Sequence, residues 1–131
     1  MDKRVCAIII KDNKILLMHR IKDGQEYFVF PGGGIKENES EEDAIIREIK
    51  EELSLDAKID KLAFQMENRG QEELYFLIKE FSGTPTLGGA EKQRMNENNQ
   101  YYPEWIDLDT ASNLPNFYPE EARQKIKELI K

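Results

Sequence analysis

Apolar positions in this chain come in short blocks whose spacing changes along its length. Residues 5–10 (VCAIII) form a β-branched run, and residues 15–18 form a second one after Lys11-Asp12-Asn13-Lys14; together they predict a hairpin turning at Asp12-Asn13. A third strand candidate, residues 27–30, stops at Pro31 and the successive glycines Gly32, Gly33 and Gly34, which predict a tight loop whose backbone a ligand can approach. After Ser40 the spacing becomes helical. Ala44, Ile45, Ile49 and Leu53 fall on one face, and Ser40 with Asp43 three residues on resembles a capping box. Residues 57–67 and 72–81 read as strands joined through Asn68-Arg69-Gly70-Gln71, residues 82–99 as a polar loop, and residues 101–108 as a further strand. Pro119 opens a last helix with Glu120 and Glu121 in its first turn and Ala122, Ile126, Leu129 and Ile130 on one face. This order predicts an α/β fold, a mixed β-sheet sandwiched between α-helices.

At 131 residues the chain has room for one domain, 1–131. Its 26 acids against 19 bases leave a net charge of -7, which argues against a partner held by a basic face, such as a nucleic-acid polymer. No apolar run approaches the roughly 20 residues that cross a bilayer, and no signal-peptide core follows Met1, so the expected location is cytoplasmic, without a membrane partner. One cysteine, Cys6, and one histidine, His19, exclude an internal disulfide and imidazole-rich metal centres. Metal chemistry would therefore rest on oxygen ligands.

The charge excess concentrates in residues 37–52, which hold eight acids and only two bases, Arg47 and Lys50. On a helix Glu48, Glu51 and Glu52 stand at i, i+3 and i+4, where like charges repel unless a cation sits among them. Oxygen donors of this kind suit Mg²⁺ or Mn²⁺. For the helix alone, a solvated acidic face partly paired with Arg47 and Lys50 accounts for the same pattern.

The preceding glycines extend the pattern. GGIKENESEEDAIIREIKEELSL, residues 33–55, resembles the Nudix box of the Nudix hydrolase superfamily: a glycine, then a glutamate after five residues, then after seven more an Arg-Glu pair followed by two further glutamates. Ser54 stands where the family has a glycine that ends the helix, a substitution expected to cost C-cap stability and not chemistry. The resemblance implies the Nudix fold and divalent-metal-dependent hydrolysis of a diphosphate linkage, by water attack at phosphorus, in a nucleoside di- or triphosphate derivative. It implies Glu48, Glu51 and Glu52 as metal-binding carboxylates, with Glu52 central and Gly33 contributing beside them. Arg47 becomes an orienting residue with Asp43 and Glu51 in reach at i-4 and i+4, and Glu39 the box's leading glutamate. Gly32, Gly33 and Gly34 bring backbone close to metal and substrate. The general base is Glu51 or Glu52 in the box, or Glu97 or Glu91 in the 82–99 loop.

Outside the box, Arg20 and the loop cations Lys92 and Arg94 could meet substrate phosphates. Tyr27, Phe28, Tyr101, Tyr102 and Phe117 could stack on a base or pack across strands. Trp105 reads as core, Cys6 as a small buried apolar residue and His19 as an ordinary strand side chain. Gly70-Gln71 occupies the place where ADP-ribose-preferring relatives tend to carry a proline, and Glu121 the place of the asparagine with which MutT-type relatives bind oxidised guanine nucleotides; both weigh against those substrates. Expected partners are thus a small-molecule nucleotide diphosphate derivative and, at most, a second copy of the chain as a homodimer. Two rivals remain. A catalytically silent, nucleotide-sensing Nudix domain would commonly have lost box carboxylates, and a P-loop would need a Gly-Lys-Ser/Thr ending that residues 32–40 lack.

Overall fold

The computed structural model describes residues 2–87, 95–96 and 98–129. Its elements are β1 (Asp2–Ile8), β2 (Ile10–Lys11), β3 (Lys14–Lys22), β4 (Gln25–Val29), β5 (Gly32–Gly34), α1 (Glu41–Leu53), β6 (Asp56–Asn68), β7 (Gln71–Ser82), β8 (Asn99–Asp107), α2 (Leu108–Ser112), β9 (Phe117–Tyr118) and α3 (Glu120–Leu129). The expected single mixed sheet is two. One runs β5-β1-β7-β6, with β1 and β7 parallel; the other runs β2-β3-β4-β9, with β8 paired along β3. The VCAIII run is the reason, since it splits at Ile9: β1 lies in the first sheet, β2 turns into the second, and the Ile9 carbonyl accepts from Leu16 N at 2.9 Å.

From Val5 onward both faces of β1 are buried, which explains a continuous apolar run where a half-exposed strand would alternate. Val5, Ala7 and Ile9 join Leu16, Met18, Leu74 and Phe76 under the apolar face of α1. Cys6 and Ile8 point the other way, into a second core with Ile15, Leu17, Phe30, Tyr75 and Phe117, closed by Ala111 of α2 and by Ala122 and Ile126 of α3. Trp105, expected in the core, is half-buried and stacks on Phe81 with ring centroids 5.8 Å apart. Three hairpins turn through two residues with positive φ: Asp12-Asn13 (53° and 63°), Asp23-Gly24 (49° and 80°) and Arg69-Gly70 (54° and 78°). That backbone matches the right-handed twist of the strands it joins. The middle hairpin, carried by Asp-Gly, and the short elements α2 and β9 were not among the expected elements.

Helix α1 begins and ends as its sequence directs. Ser40 Oγ accepts from Asp43 N at 3.1 Å, and Ser54 closes the helix in the left-handed region, φ 61° and ψ 32°, its N–H donating to Lys50 O. A β-carbon is disfavoured there. Ser54→Gly should therefore raise stability by roughly 0.5–1 kcal/mol, read as a higher urea midpoint at unchanged slope. Among the described residues, no helix is long and apolar enough to cross a membrane.

Candidate active site

The three glycines form not a loop but the short strand β5, paired with β1 through Gly32–Cys6, Gly33–Val5 and Gly34–Arg4. At Gly32 a side chain would collide with backbone, and at Gly33 it would displace the Glu48 carboxylate. A Cβ at Gly32 would lie 2.1 Å from the Val5 carbonyl oxygen, and one at Gly33 would lie 2.5 Å from the Glu48 carboxyl carbon. β5 thus runs bare backbone along α1, where the Gly32 N–H donates to Glu52 Oε2 at 3.3 Å. Glu48 and Glu52, one helical turn apart, both abut it.

Arg47 ties strand, loop and helix together. Its Nε and Nη2 donate to the two carboxylate oxygens of Glu39 at 2.7 and 2.9 Å, a bidentate pair, and Nη2 also donates to the Gly34 carbonyl at 2.9 Å. Nη1 donates to Glu48 at 2.9 Å and to Glu51 at 3.0 Å. These five contacts match the five N–H donors of a guanidinium. Asp43, the expected i-4 partner of Arg47, is not among them; the guanidinium reaches instead toward β5 and the 35–40 turn. Glu39 is held in place by its own turn, in which Lys36 N donates to Glu39 Oε1 at 3.0 Å. The guanidinium, and then the Lys36 amide, hold the Glu39 carboxyl down at about 2. The same pairing raises Arg47 above its ordinary value. The cation required among the crowded glutamates is therefore supplied in part by the chain itself, between Glu48 and Glu51.

Among the described residues, no three acidic, histidine or cysteine side chains converge into a closed metal cage. The arrangement still fits a hard divalent cation. Such ions take one or two protein carboxylates and complete their shell with water and phosphate oxygens, and Glu48 and Glu52 offer oxygen donors beside a strand stripped of side chains. Glu51 is more exposed and turns toward Arg47 and, at 3.9 Å, Lys36. Glu97, Glu91, Lys92 and Arg94 lie outside the described residues.

Beyond Cys6, the β1 partner of Gly32, a cavity of about 930 Å³ opens. Arg20 and Tyr27 line it. The Arg20 guanidinium lies 4.3 Å from the Tyr101 ring centre and 5.6 Å from that of Tyr27, and Nη2 donates to Tyr101 Oη at 2.7 Å. Among the described residues its Nε is buried without a hydrogen-bond partner, so the cation is held by the aromatic faces and the Tyr101 hydroxyl. Burial pushes the Cys6 thiol up to about 12, consistent with a packing role. His19 stacks on Phe28 at 4.4 Å and meets Glu26 on the surface. Sequence reasoning missed Glu73, Tyr75 and Asn68 on the cavity wall. The available signal was an acid, Glu73, alternating with Tyr75 on the inward face of a strand.

The NUDIX domain family model matches residues 1–129. The chain is 32% identical over 147 aligned positions to an RNA pyrophosphohydrolase of Teredinibacter turnerae, covering 95% of this chain and 82% of that protein. It is 46% identical over 59 residues to an ADP-ribose pyrophosphatase of Methanocaldococcus jannaschii, across 44% of this chain and 35% of the relative. The solution structure of the E. coli ORF135 protein superposes with a TM-score of 0.76 at 26% identity, covering 98% of this chain and 90% of that one. The chain belongs to the NUDIX family and is an enzyme of its pyrophosphohydrolase kind.

Proposed function

We propose that the enzyme uses Mg²⁺ or Mn²⁺ to hydrolyse a diphosphate linkage in a small nucleoside di- or triphosphate derivative. The observation that carries this reading is the Arg47 clamp, which fixes Glu39, Glu48, Glu51 and the Gly34 carbonyl together and so holds the glycine strand against the box glutamates. Glu48 and Glu52 would hold the ion, with Glu51 beside them. A bound divalent ion supplies charge neutralisation at the phosphates and a more acidic water. The protein's own part is placement. β5 admits phosphate oxygens close to the carboxylates, and Arg20, which lines the cavity, brings a cation to whatever fills it. In the reaction, a water oxygen bonds to phosphorus while the bridging P–O bond breaks, leaving two phosphorylated fragments. The water's proton passes to a carboxylate, Glu52 or Glu51 from the box, or Glu97 or Glu91 from the 82–99 segment.

A relative matched over 95% of this chain acts, by its name, on RNA. The net charge of -7 favours a small nucleotide over a polymer, whose binding relies on neutralising many backbone phosphates. A silent nucleotide-binding domain is the weaker reading because all the box carboxylates are retained. A screen of nucleoside di- and triphosphates with Mg²⁺ and with Mn²⁺, following phosphate and nucleotide release, tests the proposal. Turnover should appear with a divalent ion and vanish on chelation, and the ion alone should raise the melting temperature. Turnover that survives exhaustive chelation, or none with any nucleotide, would overturn it.

A further inference from the structure

The cavity floor carries a feature that diphosphate hydrolysis does not require. Glu73 on β7 is only 6% exposed, yet it lines the cavity. A carboxylate buried to this degree calls for partners. Glu73 Oε1 accepts from Tyr75 Oη at 2.7 Å, and Oε2 accepts from Asn68 Nδ2 at 3.4 Å. Each carboxylate oxygen has two acceptor directions, so among the described residues one on each oxygen remains. The Tyr75 bond orients the group. Phe30 and Tyr75, in edge contact at 5.0 Å, and Tyr118 give this end of the cavity aromatic walls that suit a planar ligand.

Register places Glu73 relative to the box. Glu73 is opposite Arg4, which is opposite Gly34; Tyr75 is opposite Cys6, which is opposite Gly32. Two strand spacings, roughly 10 Å, therefore separate the Glu73 position from the glycine strand along these rows. A nucleotide with its phosphates at β5 would put its base toward β7.

We propose that Glu73 is the specificity-determining residue of the nucleotide site and selects guanine, by accepting from N1–H and the N2 amino group together. This rests on the cavity's being the nucleotide site. Only guanine presents two adjacent donors on its pairing edge. Adenine and cytosine each set a ring-nitrogen acceptor beside their amino group, and uracil flanks its single N–H with carbonyls, so each would turn a lone pair toward the carboxylate. Glu73 lies on a different element from Glu121, and the absence of an asparagine at that position leaves its chemistry untouched.

The test is equilibrium binding of nucleoside monophosphates to the full chain by calorimetry, without added metal. GMP should bind at least about tenfold more tightly than AMP or CMP, and IMP, which lacks the N2 amino group, should lose roughly tenfold relative to GMP. N1-methyl-GMP should lose at least as much. dGMP should bind within about threefold of GMP; a large loss on removing the 2′-hydroxyl would assign the carboxylate to the ribose and overturn the proposal. Glu73→Gln, with folding checked by melting, should bring GMP and AMP within about threefold of each other. Equal binding of GMP, IMP and AMP by the parent chain overturns the proposal even if that variant does not fold. Because monophosphate binding requires no turnover, guanine selectivity in a chain that hydrolyses nothing would sink the hydrolase reading alone, and turnover without selectivity would sink this one alone.

Discussion

Replacing Glu52 by glutamine should lower turnover by about 10²- to 10⁴-fold and leave the fold intact. Glutamine preserves the side chain's shape and keeps a carbonyl oxygen that can accept from the Gly32 N–H, the contact made at 3.3 Å. What it removes is the charge. Without metal, the variant should melt no lower than the parent, because one of two like charges a helical turn apart has gone. With metal, a larger share of its activity should be recovered at high ion concentration if Glu52 binds the ion than if it takes the proton. Turnover, metal titration and melting on one preparation separate these outcomes. Full activity at saturating substrate and metal would place the ion elsewhere. Glu97→Gln and Glu91→Gln complete the comparison. If the 82–99 segment supplies the base, one of them lowers turnover and spares metal affinity; if both behave like the parent, the base belongs to the box.

What could be read from the chain follows the range of the forces involved. The cap at Ser40, the apolar face of α1 and the hairpin turns at Asp12-Asn13 and Arg69-Gly70 depend on neighbouring residues, and the residue types report them directly. The splitting of VCAIII between two sheets arises because β1 pairs with β7, far along the chain, while β2 pairs with β3 across the adjacent hairpin, so a uniform run of β-branched residues carries no mark of it. The glycines were legible as an open backbone but not as a paired strand, because their role depends on how closely Val5 and Glu48 approach. Spacing alone put Asp43 and Glu51 within reach of Arg47. Helical geometry proposes such pairs, but the turn that delivers Glu39 and the strand that delivers Gly34 decide which of them form. Glu73 stayed hidden for a related reason: one acid in a strand acquires meaning only when the opposite sheet closes over it.

Arg47→Ala should be the most destabilising change in the site, costing roughly 2–4 kcal/mol at neutral pH. The Arg47 side chain is largely covered, at 19% exposure, and its loss would leave Glu39, Glu48 and Glu51 without their shared cation and the Gly34 carbonyl without its donor. Arg47→Lys should recover only part of this, since an ammonium group cannot offer a planar fork to Glu39 and still reach Glu48 and Gly34. The pH dependence gives the loss a signature. Glu39 is held down at about 2 in the folded chain, against 4.5 ordinarily. A depressed carboxyl stabilises the fold fully above its unfolded value, and that contribution fades as pH falls from about 4.5 toward about 2. Urea unfolding of parent and Arg47→Ala at pH 7 and at pH 3 should show the gap narrowing in acid. Added Mg²⁺ should narrow it at pH 7 if the ion binds among the same glutamates, because a second source of positive charge then relieves Glu48. A gap that is the same at both pH values would mean that Arg47 acts through packing and not through its carboxylates.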